Sequence, residues 1–191
     1  MKNEKSRHIT LHLNARFQPI HRFELEDALE ELLTKTGLGY TDGGGTAQFP
    51  SGEVASCDIE IVLKDDAEDS VKELERMIEA LGIAKGSRLQ LFDDNGGIQS
   101  EYPVGRLEGM AVYLNDTELP TEVYQSCDIN YFIEQANSLM NGFGNLYSWW
   151  EGPQNTALYF YGESHEKMSE VISDLIKTHP LCQKCVIEKI A

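Results

Sequence analysis

The chain lacks any long hydrophobic run. Nowhere do about 18 apolar residues follow one another, the length that a membrane-spanning helix needs. Residues 1–7 are charged and no apolar stretch follows them, so we expect no secretory signal peptide. Low-complexity segments are also missing. We therefore expect a cytoplasmic protein with one large domain or two small domains of about 95 residues each.

Basic residues are scarce in this sequence. The chain has 16 Lys and Arg against 32 Asp and Glu, which gives a net charge of −16. Both halves share the deficit, since residues 1–100 hold 11 basic and 19 acidic side chains and residues 101–191 hold 5 and 13. A field of this sign repels phosphate backbones and speeds the approach of basic partners, although it also serves solubility alone. We expect a basic protein partner, no nucleic acid and no membrane.

Motifs of the common hydrolases are absent, including GxSxG, HExxH and a protease-type cysteine signature. The glycine-rich segment 41–46 (TDGGGT) lacks the GK[ST] ending of a phosphate-binding loop. A strand pattern follows it, so its glycines indicate a bulge, a close backbone approach or a mobile hairpin. One catalytic alternative is a proton-transfer pair of His12 with Glu60 or Asp58. We expect no enzyme, no catalytic residue and no cofactor.

Four cysteines are present, and Cys182 and Cys185 form a CxxC pair. A structural zinc site usually needs a second such pair, and a thioredoxin-type pair opens a helix, whereas this pair follows a helix and Pro180. We expect reduced structural thiols and no metal site. Metal or redox chemistry at the pair is the alternative.

The two halves of the chain repeat one order of elements: strand, helix, strand, strand, helix, strand. The first strand of each half shows the correspondence, Ile9–Leu13 (ITLHL) with Met110–Leu114 (MAVYL). This order predicts an α+β fold of two tandem ferredoxin-like (split βαβ) modules, each with an antiparallel sheet and two helices on one face. We assign residues 1–100 and 101–191 to the modules, with residues 93–108 as a linker or a linking hairpin.

Alternation along the strands of the second module predicts an aromatic sheet face. If Val112, Leu114 and Leu158 face the helices, five rings gather on the opposite face. The five rings are Tyr113, Tyr147, Trp149, Tyr159 and Tyr161. Rings with polar tips are typical of interfaces, so we expect this face, with the adjoining Trp150, to bind a partner or ligand. Alternatively, the other module or a second copy of the chain, in a homodimer, covers it.

Residues 37–63, GLGYTDGGGTAQFPSGEVASCDIEIVL, contain a GGGT loop, a GE turn and a DIEI strand. This segment resembles small acidic bacterial proteins that include candidate immunity proteins of toxin systems. The resemblance implies a protein that neutralises a co-encoded toxin by binding it, and we expect a basic, nuclease-type toxin. Carboxylates, among them Asp42, would match the positive surface of the toxin, and the aromatic face would supply the buried contacts.

A second function fits the same fold. Tandem modules of this shape can bind a metabolite in a concave apolar pocket between them, which would make the chain a small-ligand regulatory sensor. Because ferredoxin-like folds host many unrelated functions, the fold alone does not choose between a sensor and a protein-binding module.

Overall fold

The computed structural model describes residues 6–93 and 95–191 of the chain. The chain divides into two compact units. The first comprises the residues up to Gln48 together with Val54–Arg106. The second comprises Leu107–Ala191 together with the short segment Phe49–Glu53. Each unit has its own sheet and its own helices, as the repeat in the sequence predicts.

The first unit is an antiparallel five-stranded sheet with two helices. Its elements are β1 (Arg7–Leu13), α1 (Pro19–Thr36), β2 (Gly39–Gln48), β3 (Val54–Leu63), α2 (Glu68–Leu81), β4 (Ser87–Phe92) and β5 (Ile98–Val104). The strand order β2-β3-β1-β4 is the ferredoxin-like arrangement, and β5 adds a fifth strand beside β4. The sequence left a linker and a linking hairpin as alternatives for residues 93–108. Because β4 and β5 pair as a hairpin, the second alternative holds. The expected domain boundary at residue 100 lies inside β5.

Alternating side chains build the core of the first unit. Ile9 on β1 lies opposite Ile61 on β3, and both are 0% exposed. Helix α2 covers this face with Val71, Leu74 and Ile78, which recur every three or four residues and are all buried. The polar residues between them therefore remain at the surface.

The second unit is an antiparallel four-stranded sheet with three helices. Its elements are β6 (Glu108–Asn115), α3 (Thr121–Ser126), α4 (Ile129–Leu139), β7 (Gly144–Glu151), β8 (Asn155–Gly162), α5 (His165–Thr178), a 3-10 turn (Pro180–Cys182) and β9 (Val186–Lys189). The strand order β7-β8-β6-β9 repeats the ferredoxin-like arrangement of the first unit. The predicted α+β fold of two tandem ferredoxin-like modules is confirmed.

The core of the second unit lies between its sheet and its longer helices. Helix α4 begins after Asp128, whose carboxylate accepts a hydrogen bond from the amide of Asn130. It packs Phe132 and Ala136 against Val112 and Phe160 of the sheet, and all four residues are 0% exposed. No helix within residues 6–93 and 95–191 is long and apolar enough to cross a membrane.

Candidate binding site

The sheet face opposite the helices of the second unit holds most of the predicted aromatic rings. On β8, Tyr159 lies opposite Ala111 and Tyr161 opposite Gly109, while Tyr113 on β6 lies opposite Ala157. Since side chains two residues apart on a strand share a face, the three tyrosines point to the same side. The structure therefore brings together Tyr113, Tyr159 and Tyr161.

A β-bulge in β7 changes the side on which its two tryptophans lie. The register to β8 shifts between Leu146 and Ser148, so Tyr147 is the extra residue. After the bulge Trp149 lies opposite the core residue Leu158, and Trp150 takes the tyrosine side. The prediction that Trp149 shares the tyrosine face is therefore wrong, because the bulge inverts the alternation that a regular strand would follow.

Tyr147 stays with the tyrosines despite the bulge. Its ring meets the Tyr161 ring edge-on, with centroids 5.8 Å apart and an interplanar angle of 85°. The amide of Leu146 donates a hydrogen bond of 2.8 Å to the side-chain oxygen of Asn137 on α4. This contact joins the bulged part of β7 to the helix, and alternation along the strand does not reveal it.

Two of the tyrosines on this face are buried. Tyr159 is 0% and Tyr161 2% exposed. Within the second unit, Glu53 accepts hydrogen bonds of 2.7 Å from the hydroxyls of both Tyr159 and Tyr113. The segment Phe49–Glu53 thus lies against the tyrosine face. Neither Tyr159 nor Tyr161 is accessible to a partner in this conformation, so the expectation of an aromatic face open as a whole does not hold.

Trp149 lines an apolar groove on the helix side of the sheet, which we call the Trp149 groove. The groove has a volume of about 520 Å3. Its apolar residues are Ile129, Ile133, Leu146, Trp149 and Leu158, and its polar residues are Asn130, Glu151 and Thr156. One wall is the first half of α4, and the other is β7, which is an edge strand, with its neighbour β8. Trp149 is 50% exposed there.

Sequence reasoning missed the Trp149 groove because it placed Trp149 on the wrong face. The apolar helix positions Ile129 and Ile133 are visible in the sequence as a four-residue spacing, which is typical of a helix face. Only the bulge, however, turns Trp149 toward them. A neighbouring pair of tryptophans on an edge strand is a weak signal, since one of the two must face the helices in either register.

The first unit carries polar cross-strand pairs on the sheet face opposite its helices. His12 Nδ1 lies 2.7 Å from Asp58 Oδ1, and both residues are half-buried. Thr10 donates a hydrogen bond of 2.8 Å to Glu60. Of the two carboxylates expected for His12, the register thus selects Asp58, while Glu60 lies opposite Thr10. Such satisfied pairs are typical of the polar face of an antiparallel sheet.

Asp42 is exposed in the first unit, in the irregular part of β2. The register to β3 shifts between Thr41 and Gly44, and Gly43 has a φ of +90°. A Cβ on Gly44 would lie 2.1 Å from a β3 carbonyl oxygen. The expected bulge and close backbone approach are both confirmed. Glu30 on α1 accepts hydrogen bonds from the amide and the hydroxyl of Thr41, which hold the pKa of Glu30 below its usual value.

Among the described residues, no group of three or more His, Cys, Asp or Glu side chains could hold a metal ion. Cys57 is 0% exposed, and its thiol donates a hydrogen bond to the carbonyl of Phe17 at 3.1 Å. Burial raises the pKa of the Cys57 thiol, which keeps this side chain protonated at neutral pH. Cys57 therefore packs as a structural residue.

No family model and no curated protein matches this sequence. Similar solved structures include an unknown protein from Galdieria sulphuraria, with 9% identity over 97% of this chain and 98% of that chain and a TM-score of 0.29. The first two RRM domains of yeast poly(U) binding protein show 8% identity over 96% and 99%, with a TM-score of 0.26. A monooxygenase candidate from Fusobacterium nucleatum shows 12% identity over 99% and 92%, with a TM-score of 0.32. Similarities at this level carry no argument about function.

Proposed function

We propose that the chain is a non-enzymatic binding protein that holds a basic protein partner at the Trp149 groove. One observation carries the proposal: a tryptophan with half of its surface exposed lines an apolar groove beside an edge strand. Tryptophan is enriched among the residues that dominate binding energy, because one ring buries a large apolar area and loses few rotamers.

Acidic side chains around the Trp149 groove support a basic partner. Glu151 lines the groove, and the exposed residues Asp128 and Glu134 lie immediately before and on α4, the helix that forms one wall. Residues 101–191 hold 13 acidic and 5 basic residues, so the wider surroundings have the same sign. Such a surface raises the association rate of a positively charged protein and discriminates against acidic ones.

The partner class that we propose is a basic, nuclease-type bacterial toxin, which this chain would neutralise as an immunity protein. The support is the resemblance of residues 37–63 to candidate immunity proteins, together with the charge of the chain. A nuclease presents a positive surface to phosphates, and an acidic protein that binds this surface blocks the substrate. This role would place the chain in the cytoplasm, where the nucleic acid substrate lies.

The test is to identify a toxin reading frame beside the gene of this chain and to measure the affinity for its purified basic domain. Trp149→Ala should weaken binding about 30-fold or more, which corresponds to a hot spot of roughly 2 kcal/mol. Trp150→Ala is the matched control, because it removes the same ring from the opposite sheet face, and it should change the affinity less than about threefold. Unchanged binding by a folded Trp149→Ala variant would refute the assignment of the groove.

Varying the ionic strength distinguishes electrostatic steering of the partner from the apolar contact in the Trp149 groove. Raising the ionic strength should slow association with the toxin domain while dissociation changes little, because exposed charges act mainly during encounter. An association rate that does not depend on salt would contradict the electrostatic part of the proposal and leave the apolar part to be judged by Trp149→Ala.

A small-ligand sensor is the second candidate function. The volume of about 520 Å3 and the apolar lining with Asn130, Glu151 and Thr156 are typical of small-molecule sites. A ligand held there should raise the melting temperature of the chain in a screen of amino acids and nucleotides, and Trp149→Ala should abolish the shift. Binding of the toxin domain without any such ligand would favour the protein-binding function.

A further inference from the structure

The CxxC segment forms a closed turn that holds its two cysteines close together. Cys182 ends the 3-10 turn, and the amide of Cys185 donates a hydrogen bond of 3.1 Å to the carbonyl of Cys182. Lys184 is left-handed, with a φ of 61°, and is the one non-glycine residue with a positive φ in the described part of the chain. A hydrogen-bonded four-residue turn keeps its first and last Cα atoms within about 7 Å, which is the distance that a disulfide spans.

The two thiols differ in burial and in pKa. Cys182 is 5% exposed and belongs to the apolar core of the second unit, whereas Cys185 is half-buried and packs at the edge of that core. The neighbouring Cys182 thiol lowers the pKa of Cys185 to about 7, while the Cys185 sulfur and burial raise the pKa of Cys182.

A thiol with these properties is a good nucleophile at neutral pH. A lowered pKa raises the fraction of Cys185 that is thiolate at neutral pH, and the fall in intrinsic nucleophilicity that accompanies it is smaller, so the rate of attack rises. The nearby basic groups do not alter the ionisation of Cys185. Lys184 is paired with Glu118 at 3.0 Å, and burial lowers the pKa of His179, so this ring is neutral at pH 7.

We propose that Cys182 and Cys185 are a reversible dithiol–disulfide couple that reacts with low-molecular-weight disulfides of the glutathione class, with Cys185 as the attacking thiolate. Neither the fold nor the Trp149 groove requires this chemistry. The proposal rests on the closed turn that holds the two cysteines together and on the unequal burial of their side chains.

The reaction proceeds in two exchange steps. The Cys185 thiolate attacks one sulfur of a disulfide R–S–S–R, forms a Cys185–S–S–R bond and releases one R–S⁻. The Cys182 thiol then loses its proton to the released thiolate, and its sulfur attacks the Cys185 sulfur. The intramolecular disulfide forms and the second R–S⁻ leaves. Two electrons pass from the two cysteines to R–S–S–R, which becomes one thiol and one thiolate, and the thiolate takes from water the proton that Cys185 lost when it ionised.

The mixed disulfide prepares the second step. While Cys185 is a thiolate, the interaction with its sulfur and the burial of Cys182 raise the pKa of Cys182. Once Cys185 carries the R–S group, that negative charge is gone and the Cys182 proton is lost more easily. Buried Cys182 is therefore the resolving thiol, and accessible Cys185 the attacking one.

The experiment equilibrates the full chain with reduced and oxidised glutathione, traps free thiols and maps disulfides by mass spectrometry. Trypsin cleaves after Lys184, between the two cysteines, so the oxidised couple links the peptides Thr178–Lys184 and Cys185–Lys189. We expect this linked pair at high oxidised glutathione and its loss after addition of dithiothreitol. Cysteines that stay reduced throughout, or glutathione found on Cys57 or Cys127 instead, would overturn the proposal.

Two variants and one measurement on the unaltered chain identify the attacking thiol. Cys182→Ser should accumulate a stable glutathione adduct on Cys185, whereas Cys185→Ser should leave Cys182 unmodified under the same conditions. If either variant fails to fold, the pH dependence of Cys185 alkylation in the unaltered chain decides. A midpoint near pH 7 is expected. A midpoint near that of an ordinary thiol, or equal adducts in both variants, would refute the role of Cys185.

Discussion

Substitution of Glu53 is the most direct test of the hydrogen bonds that cover the tyrosine face. Its Oε1 atom accepts hydrogen bonds of 2.7 Å from Tyr113 and Tyr159, and Tyr159 is 0% exposed. In Glu53→Ala both hydroxyls lose this acceptor. A hydrogen bond to a charged group contributes about 1.5–3 kcal/mol, and half-buried Tyr113 can recruit water more easily than Tyr159. We therefore expect the free energy of unfolding to fall by about 2–3 kcal/mol.

Urea unfolding followed by tryptophan fluorescence measures this loss. Trp150 lies on the tyrosine side, beside Gly52 in the segment Phe49–Glu53, and reports on this contact. A loss of 2–3 kcal/mol should lower the unfolding midpoint by about 1 M urea. Glu53→Gln is the matched control, because its amide oxygen still accepts a hydrogen bond without the charge, and it should cost only about 1 kcal/mol.

A double-mutant cycle isolates the contact between Glu53 and Tyr159. Glu53→Ala and Tyr159→Phe, alone and combined, should show a coupling energy of at least about 1 kcal/mol. A coupling below about 0.3 kcal/mol, or a Glu53→Ala variant within about 0.5 kcal/mol of the unaltered chain, would refute the reasoning, because the carboxylate would then not hold the hydroxyl in solution.

Two further predictions concern β2 in the first unit. Gly44→Ala should destabilise the chain by more than about 2 kcal/mol, because its Cβ would lie 2.1 Å from the Asp58 carbonyl oxygen. Gly45→Ala is the control and should change stability by less than about 0.5 kcal/mol, because a Cβ there would have nothing within 4 Å. Equal urea midpoints for the two variants would contradict the close approach at Gly44. Hydrogen bonds from Thr41 lower the pKa of Glu30 in the folded state. The ionised Glu30 therefore stabilises the fold fully above its unfolded-state pKa, and this stabilisation is lost as the pH falls through its folded-state pKa. Glu30→Gln should therefore be less stable at neutral pH, with a gap that closes on acidification, and a gap independent of pH would contradict this linkage.

Alternation and spacing predicted the elements and the core faces because these are local properties. Ile9 and Ile61 are buried as the two-residue period of their strands indicates, and Val71 and Leu74 as the helical period indicates. The order of elements then led to the ferredoxin-like strand order, because few topologies connect strands and helices in this sequence with short, right-handed crossings.

The sequence predicts only part of what the structure shows for the CxxC pair. The spacing of Cys182 and Cys185 is visible in the sequence, and so is its difference from a thioredoxin-type pair. The closure of the turn and the unequal burial of the two thiols depend on how the turn before β9 packs against the core, and only the structure contains that information.

The sequence by itself determined the two-module architecture, the acidic surface and the inward side of strands β1, β3, β4, β6 and β8, since each follows from neighbours close in the chain. Tertiary structure decided which tryptophan meets the helices and which tyrosines are covered. A bulge held by Asn137 inverts β7 beyond Tyr147, and Glu53, more than 100 residues before Tyr159, binds its hydroxyl. Both outcomes depend on contacts between different elements of the fold, whose pairing the alternation along one strand does not contain.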